Sequence, residues 1–255
     1  MSDWRKKVRK GLLGLVLLVA VLDGELLLAR PGTNRQIKIN ALFSTSVFDA
    51  YGIMEQKAFV LAMESLVFIT YFNLLFGNYI YNYFRKGSVF TFSRIQNRQK
   101  WCWKQAIQLY VICSTFTFVY LVLQLLASMY STMQVPDVSC IRIFLIFWIA
   151  FTVVLMLSTL LINFIAIKFG MVKAFLLTYV LMVTFIELSI RYENIPILQN
   201  YYHMHILNPM SAVSLILIKG KILKLIAILY YHFLMIGIVY LGGRFIKKMD
   251  IMHIE

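Results

Sequence analysis

The sequence predicts an all-α integral membrane protein with six transmembrane helices. Apolar residues make up 61% of the chain, charged residues 14%, and the mean hydropathy is +0.77. This composition lies outside the range of soluble globular domains. One span needs roughly 20 apolar residues, so a chain of 255 residues accommodates about six spans and their connections. Short basic stretches separate several apolar runs, as at the cytoplasmic ends of membrane helices.

The apolar runs place all six spans in a single membrane domain covering residues 1–255. Residues 1–10 carry five basic side chains and Trp4, which predicts an amphipathic start at the cytoplasmic face. We expect Gly242 and Gly243 to end the last helix. The spans are predicted at about 11–29, 58–80, 107–127, 141–165, 174–190 and 225–241.

The basic residues assign a side of the membrane to each connection. Segments predicted inside hold 16 of the 25 basic residues and only three of the 11 acidic residues. Both termini are therefore expected in the cytoplasm. Because topology accounts for the positive charge, nucleic acid is not expected as a partner. An outer cluster of three lysines fits the rule less well, and its role is open: Lys219, Lys221 and Lys224.

The connection before the sixth span is too long for a tight turn. Residues 201–221 read YYHMHILNPMSAVSLILIKGK. We expect a surface or re-entrant hairpin on the outer side, broken at Asn208 and Pro209 because proline disfavours a helical conformation of the preceding residue.

The connection between spans two and three is the most strongly charged part of the chain. Arg85 to Lys104 reads RKGSVFTFSRIQNRQKWCWK, with six basic residues and no acidic one. From Ser93 onward, helical spacing places Arg94, Arg98 and Trp101 on one side. The pattern predicts a short basic amphipathic helix lying at the cytoplasmic membrane surface.

Sequence motifs give no support for catalysis or for a cofactor bound by this chain. The G-x-x-x-x-G-K-[ST] phosphate loop, the H-E-x-x-H zinc pair and the G-x-S-x-G elbow are all missing from the sequence. Any ATP chemistry must therefore come from another chain. The residues nearest to a catalytic pattern are Glu187, Arg191, His203, His205 and His232. They include no pair of acidic residues before the arginine and no histidine pair at i, i+4 spacing. We therefore interpret Glu187 and Arg191 as an ion pair at a helix end, and the histidines as interfacial residues.

Two groups of polar residues inside predicted spans are candidates for a transport pathway. Glu64 is ionisable, and such a group costs about 2.5 to 3.5 kcal/mol at the bilayer centre on insertion scales. It therefore either faces a cavity or makes a structural hydrogen bond. In span three, Ser114, Thr115 and Thr117 either line a polar route or hold helices together by packing.

The order of these features resembles bacterial ABC transporter permeases of the type-two, six-helix exporter family. The resemblance covers the layout of the whole chain, but in residues it is carried by the segment SRIQNRQKWCWKQ. In that family the segment is a coupling helix that docks on a separate ATP-binding subunit, and the outer hairpin forms short helices in the outer leaflet. The implied ATPase-coupling residues are Arg94, Arg98, Lys100, Trp101 and Lys104.

The resemblance also implies how the chain works. Phe90 to Trp103 is expected to transmit closure of the ATPase to the spans, with ATP and Mg²⁺ bound on the partner subunit. A second permease, identical or homologous, completes the transporter in the bacterial cytoplasmic membrane. Such permeases export peptides or other amphipathic substrates, or confer immunity to antimicrobial peptides.

One alternative hypothesis belongs to a different functional class. The basic segment could rest on anionic headgroups, where each charge contributes about 1 kcal/mol. A second functional hypothesis is a non-transporting membrane scaffold or sensor whose basic segment recruits a cytoplasmic partner. Stimulation of a partner ATPase separates the two hypotheses.

Overall fold

A computed structural model of the chain describes residues 8–17, 55–85, 97–132, 138–194 and 221–248. All regular secondary structure within these ranges is helical, which confirms the predicted all-α class for the described part. The helices are α1 (8–17), α2 (Glu55–Phe76), α3 (79–85), α4 (Arg98–Thr132), α5 (Val138–Phe169), α6 (Met171–Asn194) and α7 (Lys221–Lys248).

Within the described ranges, four helical segments are long and apolar enough to cross a membrane, which is consistent with a multi-pass membrane protein. They are Arg98–Leu126, Phe144–Phe169, Met171–Leu188 and Leu225–Lys248.

These segments coincide with predicted spans three to six, while α1 and α2 overlap predicted spans one and two. Several predicted features lie outside the described residues: the amphipathic start at 1–7, the end of span one at 18–29 and the broken outer hairpin.

Helix α5 occupies the centre of the bundle. It packs against α2, α4, α6 and α7. In its candidate span, 72% of the residues are buried inside the protein, compared with 17% for α6. The outward face of α6 is apolar, with Val172, Leu176 and Val180 more than half exposed. Such a face suits contact with lipid, which is as apolar as the side chains themselves.

An aromatic core joins α2 to α4. Phe68, Phe72 and Phe76 recur at four-residue intervals on α2 and are fully buried. Phe68 stacks on Tyr120 with ring centroids 4.0 Å apart, and Phe72 meets Phe116 edge-on at 5.3 Å. Aromatic pairs in these geometries contribute about 0.5 to 1.5 kcal/mol beyond the burial of their area. The contacts fix α2 beside α4.

A single residue, Gly170, connects α5 to α6. Its φ angle is 82°, a left-handed conformation that glycine adopts without the steric penalty of a Cβ atom. Its N–H donates to the carbonyl of Ala166 at 2.9 Å, and its own carbonyl accepts from the N–H of Ala174 at 3.1 Å. Gly170 therefore ends one helix and begins the next, and the two helices form an antiparallel hairpin.

Helix α7 does not end at its glycine pair, so that prediction was wrong. The helix continues through Gly242 and Gly243 to Lys248. A Cβ atom on Gly242 would overlap the ring of Phe164 on α5, and one on Gly243 would lie 3.2 Å from Cγ of Gln99 on α4. The glycines thus allow α7 to approach both neighbours closely.

The basic segment also differs from its prediction. Asn97 caps α4 by accepting the Lys100 N–H on Oδ1 at 3.0 Å. From there one helix runs to Thr132, and no Gly or Pro occurs in it to cause a break. Residues 98–104 are therefore the first turns of the helix that contains span three, not part of a separate surface helix. The preceding part of the predicted surface helix, with Arg94, lies outside the described residues.

Replacing Gly170 by alanine tests the hairpin connection. Gly170→Ala places a Cβ atom in the left-handed region and should lower the free energy of unfolding by about 1 to 2 kcal/mol. Gly237 is the matched control, because an added Cβ atom there also meets open space but lies within a helix. Gly237→Ala should be neutral or stabilising by up to about 1 kcal/mol. Thermal melting in detergent measures both, and equal shifts would contradict the assigned role of Gly170.

Candidate functional site

Basic side chains collect at one end of the helix bundle. Gly243 near the end of α7 faces Cys102 near the start of α4, and Gly242 contacts Phe164 near the end of α5. Tyr81 of α3 is hydrogen-bonded to α5, and α6 begins directly after the Gly170 turn. Five helix termini therefore meet at one end of the bundle, which we call the basic end. Its basic residues are Arg85, Arg98, Lys100, Lys104, Lys168, Lys173, Arg244, Lys247 and Lys248.

Acidic residues within the described ranges all lie far from the basic end. Glu55 and Glu64 fall in the first half of α2, while Glu187 and Glu193 fall near the end of α6. Each of these helices has its opposite end at or towards the basic end. Among the described residues the basic end thus holds no acidic residue, whereas the opposite end carries both signs, because basic residues lie there beside the four glutamates: Lys57, Arg142, Arg191, Lys221 and Lys224. A basic end without acidic residues is the pattern that the positive-inside rule associates with a cytoplasmic face.

The predicted coupling residues occupy the first two turns of α4. Lys100 and Lys104 are exposed, whereas Arg98 and Trp101 are half-buried, and Trp101 packs against the hydrophobic core. Positive charge at a helix N-terminus is opposed by the helix dipole, and the first turn contains no acidic residue. An anionic partner would relieve this unfavourable local arrangement.

The three candidate pathway hydroxyl residues on α4 do not share one face. Thr115 is exposed, and its hydroxyl donates to the carbonyl of Val111 at 2.9 Å. Ser114 is half-buried, and its carbonyl accepts the Trp148 Nε1–H at 2.9 Å. Thr117 is buried, and its hydroxyl has no hydrogen-bond partner in the described part. The surroundings of the Glu64 side chain lie outside that part.

A buried polar cluster joins α2, α5 and α6, and the sequence did not identify it as a site. Asn73 of α2 is fully buried. Its Oδ1 lies 2.8 Å from the hydroxyl of Thr159 on α5, and its Nδ2 lies 3.2 Å from the hydroxyl of Ser158 and 3.5 Å from that of Tyr179 on α6. We call the following residues the Asn73 cluster: Asn73, Ser158, Thr159, Asn163 and Tyr179.

The Asn73 cluster lies beside a break between α2 and α3. The helix is interrupted at Gly77 and Asn78, two residue types that favour turns over helix interiors. The Tyr81 N–H donates at 2.9 Å to Oδ1 of Asn163, in place of the Gly77 carbonyl that it would meet in an unbroken helix. Irregular backbone at membrane depth requires such internal partners.

Some residues of this cluster could be noticed in the sequence as polar residues within predicted spans. Asn73 and Asn78 lie within predicted span two and Asn163 within predicted span four. Amide side chains in apolar spans often form hydrogen bonds between helices. Sequence spacing alone did not show that residues 73, 159 and 179 come together, because they lie on three different helices.

The described histidine, cysteine and acidic side chains were predicted as interfacial or structural residues. No group of three His, Cys, Asp or Glu residues that could hold a metal ion occurs among the described residues. His232 has Nδ1 2.8 Å from the Ile228 carbonyl of its own helix. Because a carbonyl only accepts, Nδ1 carries the proton there. The side chains of Arg191, His203 and His205 lie outside the described part.

Comparison with protein-family models, with curated proteins and with solved structures found no match to this chain.

Removing the Asn163 side chain tests the contact that supports the helix break. Asn163→Leu leaves the Tyr81 N–H without its acceptor, which should lower the free energy of unfolding by about 1 to 3 kcal/mol. Thr184→Val is the control, because it removes an exposed hydroxyl that donates to the Val180 carbonyl of its own helix. Its free energy of unfolding should change by no more than about 0.5 kcal/mol. Thermal unfolding compares the two variants. An Asn163→Leu protein as stable as the Thr184→Val control would contradict the role of Asn163 in stabilising the helix break.

Proposed function

We propose that the chain is the transmembrane subunit of an ATP-driven exporter, with ATP and Mg²⁺ bound by a separate ATP-binding subunit at the basic end. The observation that carries this proposal is the continuity of α4 from its exposed basic turns into a membrane-spanning helix. A partner bound at Lys100 and Lys104 would push directly on a long, unbroken helix.

Movement of α4 would reach the rest of the bundle through specific contacts. Its first turns touch Gly243 of α7 through Gln99 and Cys102. Further along, the Ser114 carbonyl bonds Trp148 of the central helix α5. Because packed helices move as rigid bodies with discrete arrangements, a displacement at the basic end changes how α4, α5 and α7 fit together.

Electrostatics at the basic end favour an acidic protein surface as the partner. Nine basic residues from five helices lie there without an acidic residue among the described ones. Complementary charge accelerates and orients protein association. In this proposal the basic end faces the cytoplasm of a bacterial cell and the chain pairs with a second permease, identical or homologous.

The substrate in this proposal is an amphipathic molecule, such as a peptide. Glu64 and the hydroxyl residues of α4 remain candidates for its route. Since Thr115 is exposed on the outside of the described bundle, a role for it requires a surface shared with the second permease or with lipid. Thr117 is the hydroxyl residue directed into the protein.

The coupling proposal is tested by removing two charges from α4. Lys100→Ala with Lys104→Ala should weaken binding of the ATP-binding subunit about tenfold, because exposed ion pairs contribute roughly 0.2 to 1 kcal/mol each and 1.4 kcal/mol corresponds to a factor of ten. The measurement is co-purification from detergent extracts followed by an ATPase assay of the eluate.

The control removes equal charge from the same end of the bundle. Lys168→Ala with Lys173→Ala alters the α5–α6 hairpin, where both side chains are exposed. Because these lysines add to the charge of the basic end but do not lie on α4, this variant should weaken binding less than the α4 variant and leave the ATPase activity of each bound subunit unchanged. If no ATPase accompanies the unmodified protein, transport is contradicted and the scaffold or sensor hypothesis takes its place.

A further inference from the structure

We propose that two copies of this chain pair in the membrane through the exposed face of α4. That face consists of Gln108, Val111, Thr115 and Phe118, which are all exposed. They follow one another at intervals of three or four residues, the spacing of the seam between two helices that cross at about 20°. The inference rests on the pairing in the proposed function and names an identical partner and its contact surface. Pairing itself does not require an ATP-binding subunit.

The amide of Gln108 needs a polar partner that lipid tails cannot provide. Its Oε1 accepts the hydroxyl proton of Tyr79 at 3.1 Å, while no residue of the described part accepts the two protons on its Nε2. Gln108 lies within a candidate span, about 6 Å beyond Lys104 at 1.5 Å per residue. Because hydrocarbon contains no acceptor, such an amide favours a hydrogen bond to another helix.

A second copy of the chain supplies the matching amide at the same depth. Copies inserted in the same orientation have parallel α4 helices, so a two-fold axis along the membrane normal sets Gln108 opposite Gln108. A glutamine amide both donates and accepts, and its oxygen has a second lone pair besides the one that Tyr79 uses. The two amides can therefore bond each other. Thr115 is set opposite Thr115 and is small enough for the two helices to approach closely.

The exposed faces of the other helices offer no comparable group. Gln108 is the one exposed amide side chain among the described residues of the four candidate spans. Helix α6 exposes Val172 and Leu176, and α7 exposes Leu229 and Phe233. Apolar faces of this kind can remain in contact with lipid, so pairing is expected at α4.

Cysteine crosslinking in membranes tests the pairing. Val111→Cys is placed in a full-length variant without the native cysteines, and copper phenanthroline is added as the oxidant. A disulfide requires Cα atoms within about 7 Å, and we expect a disulfide-linked dimer on a non-reducing gel.

Val180→Cys on α6 is the matched control. Val111 and Val180 are both 58% exposed, and each lies seven residues after a lysine at the basic end, Lys104 or Lys173. The two thiols are therefore equally accessible at equal depth. Val180→Cys should give no dimer above the background of the cysteine-free protein.

Two further changes in the Val111→Cys protein separate a specific contact from chance collision. Gln108→Leu should reduce pairing about threefold to tenfold, the range expected for one hydrogen bond between membrane helices. Thr115→Phe adds bulk at an exposed position and should also reduce pairing, which keeps the test decisive if Gln108→Leu fails to fold.

The proposal is overturned if Val111→Cys crosslinks no more than Val180→Cys, or if neither further change reduces the dimer. Capture of the Val111→Cys thiol by a protein of a different size would also overturn it. Failure of the proposed function gives a different result: if the dimer forms but no ATPase co-purifies, the exporter is contradicted and the pairing stands.

Discussion

The lack of hydrogen-bonding solvent inside a bilayer is the constraint on which this structure depends. Every buried backbone group must find a partner within the protein, and α-helices satisfy that condition locally. The break at Gly77 and Asn78 departs from it inside the bundle. There the amide of Asn163, on a different helix, accepts the N–H that the break leaves free. The position of α3, and with it Arg85 at the basic end, therefore depends on a polar contact with the central helix.

Charge imposes the second constraint, and it links the two regions of interest. The termini of α3 to α7 bring basic residues together on one side, while the described acidic residues lie towards the other. Along α2 and α3, the break at Gly77 and Asn78 lies between Arg85 at the basic end and the aromatic core, while Asn73 lies at the level of that core, between Phe72 and Phe76. A force applied to Arg85 would therefore pass the break before it reaches the aromatic residues of α2, so the break is a natural place for the bundle to change shape.

Sequence reasoning succeeded where one physical signal dominates over a long stretch. Hydropathy located spans three to six, because each is an apolar run of sufficient length to outweigh local propensity. Hydropathy did not predict where helices continue into polar sequence: α4 begins at Arg98 and not at Ile107, and α7 continues past Gly242. The Asn73 cluster could not be predicted, since Thr159 and Tyr179 are 86 and 106 residues from Asn73, and nothing local indicates which helices become neighbours.

Accessibility of the two ends of the bundle tests the central claim, that the basic end faces the cytoplasm. In a variant without the native cysteines, Lys247→Cys and Glu187→Cys each introduce one thiol at an exposed position, at opposite ends. A membrane-impermeant maleimide is applied to intact cells and to permeabilised cells. The nine basic residues at the basic end predict labelling of Glu187→Cys in intact cells, and of Lys247→Cys only after permeabilisation. Labelling of Lys247→Cys in intact cells would contradict the cytoplasmic assignment, and with it the docking of an ATPase at the basic end.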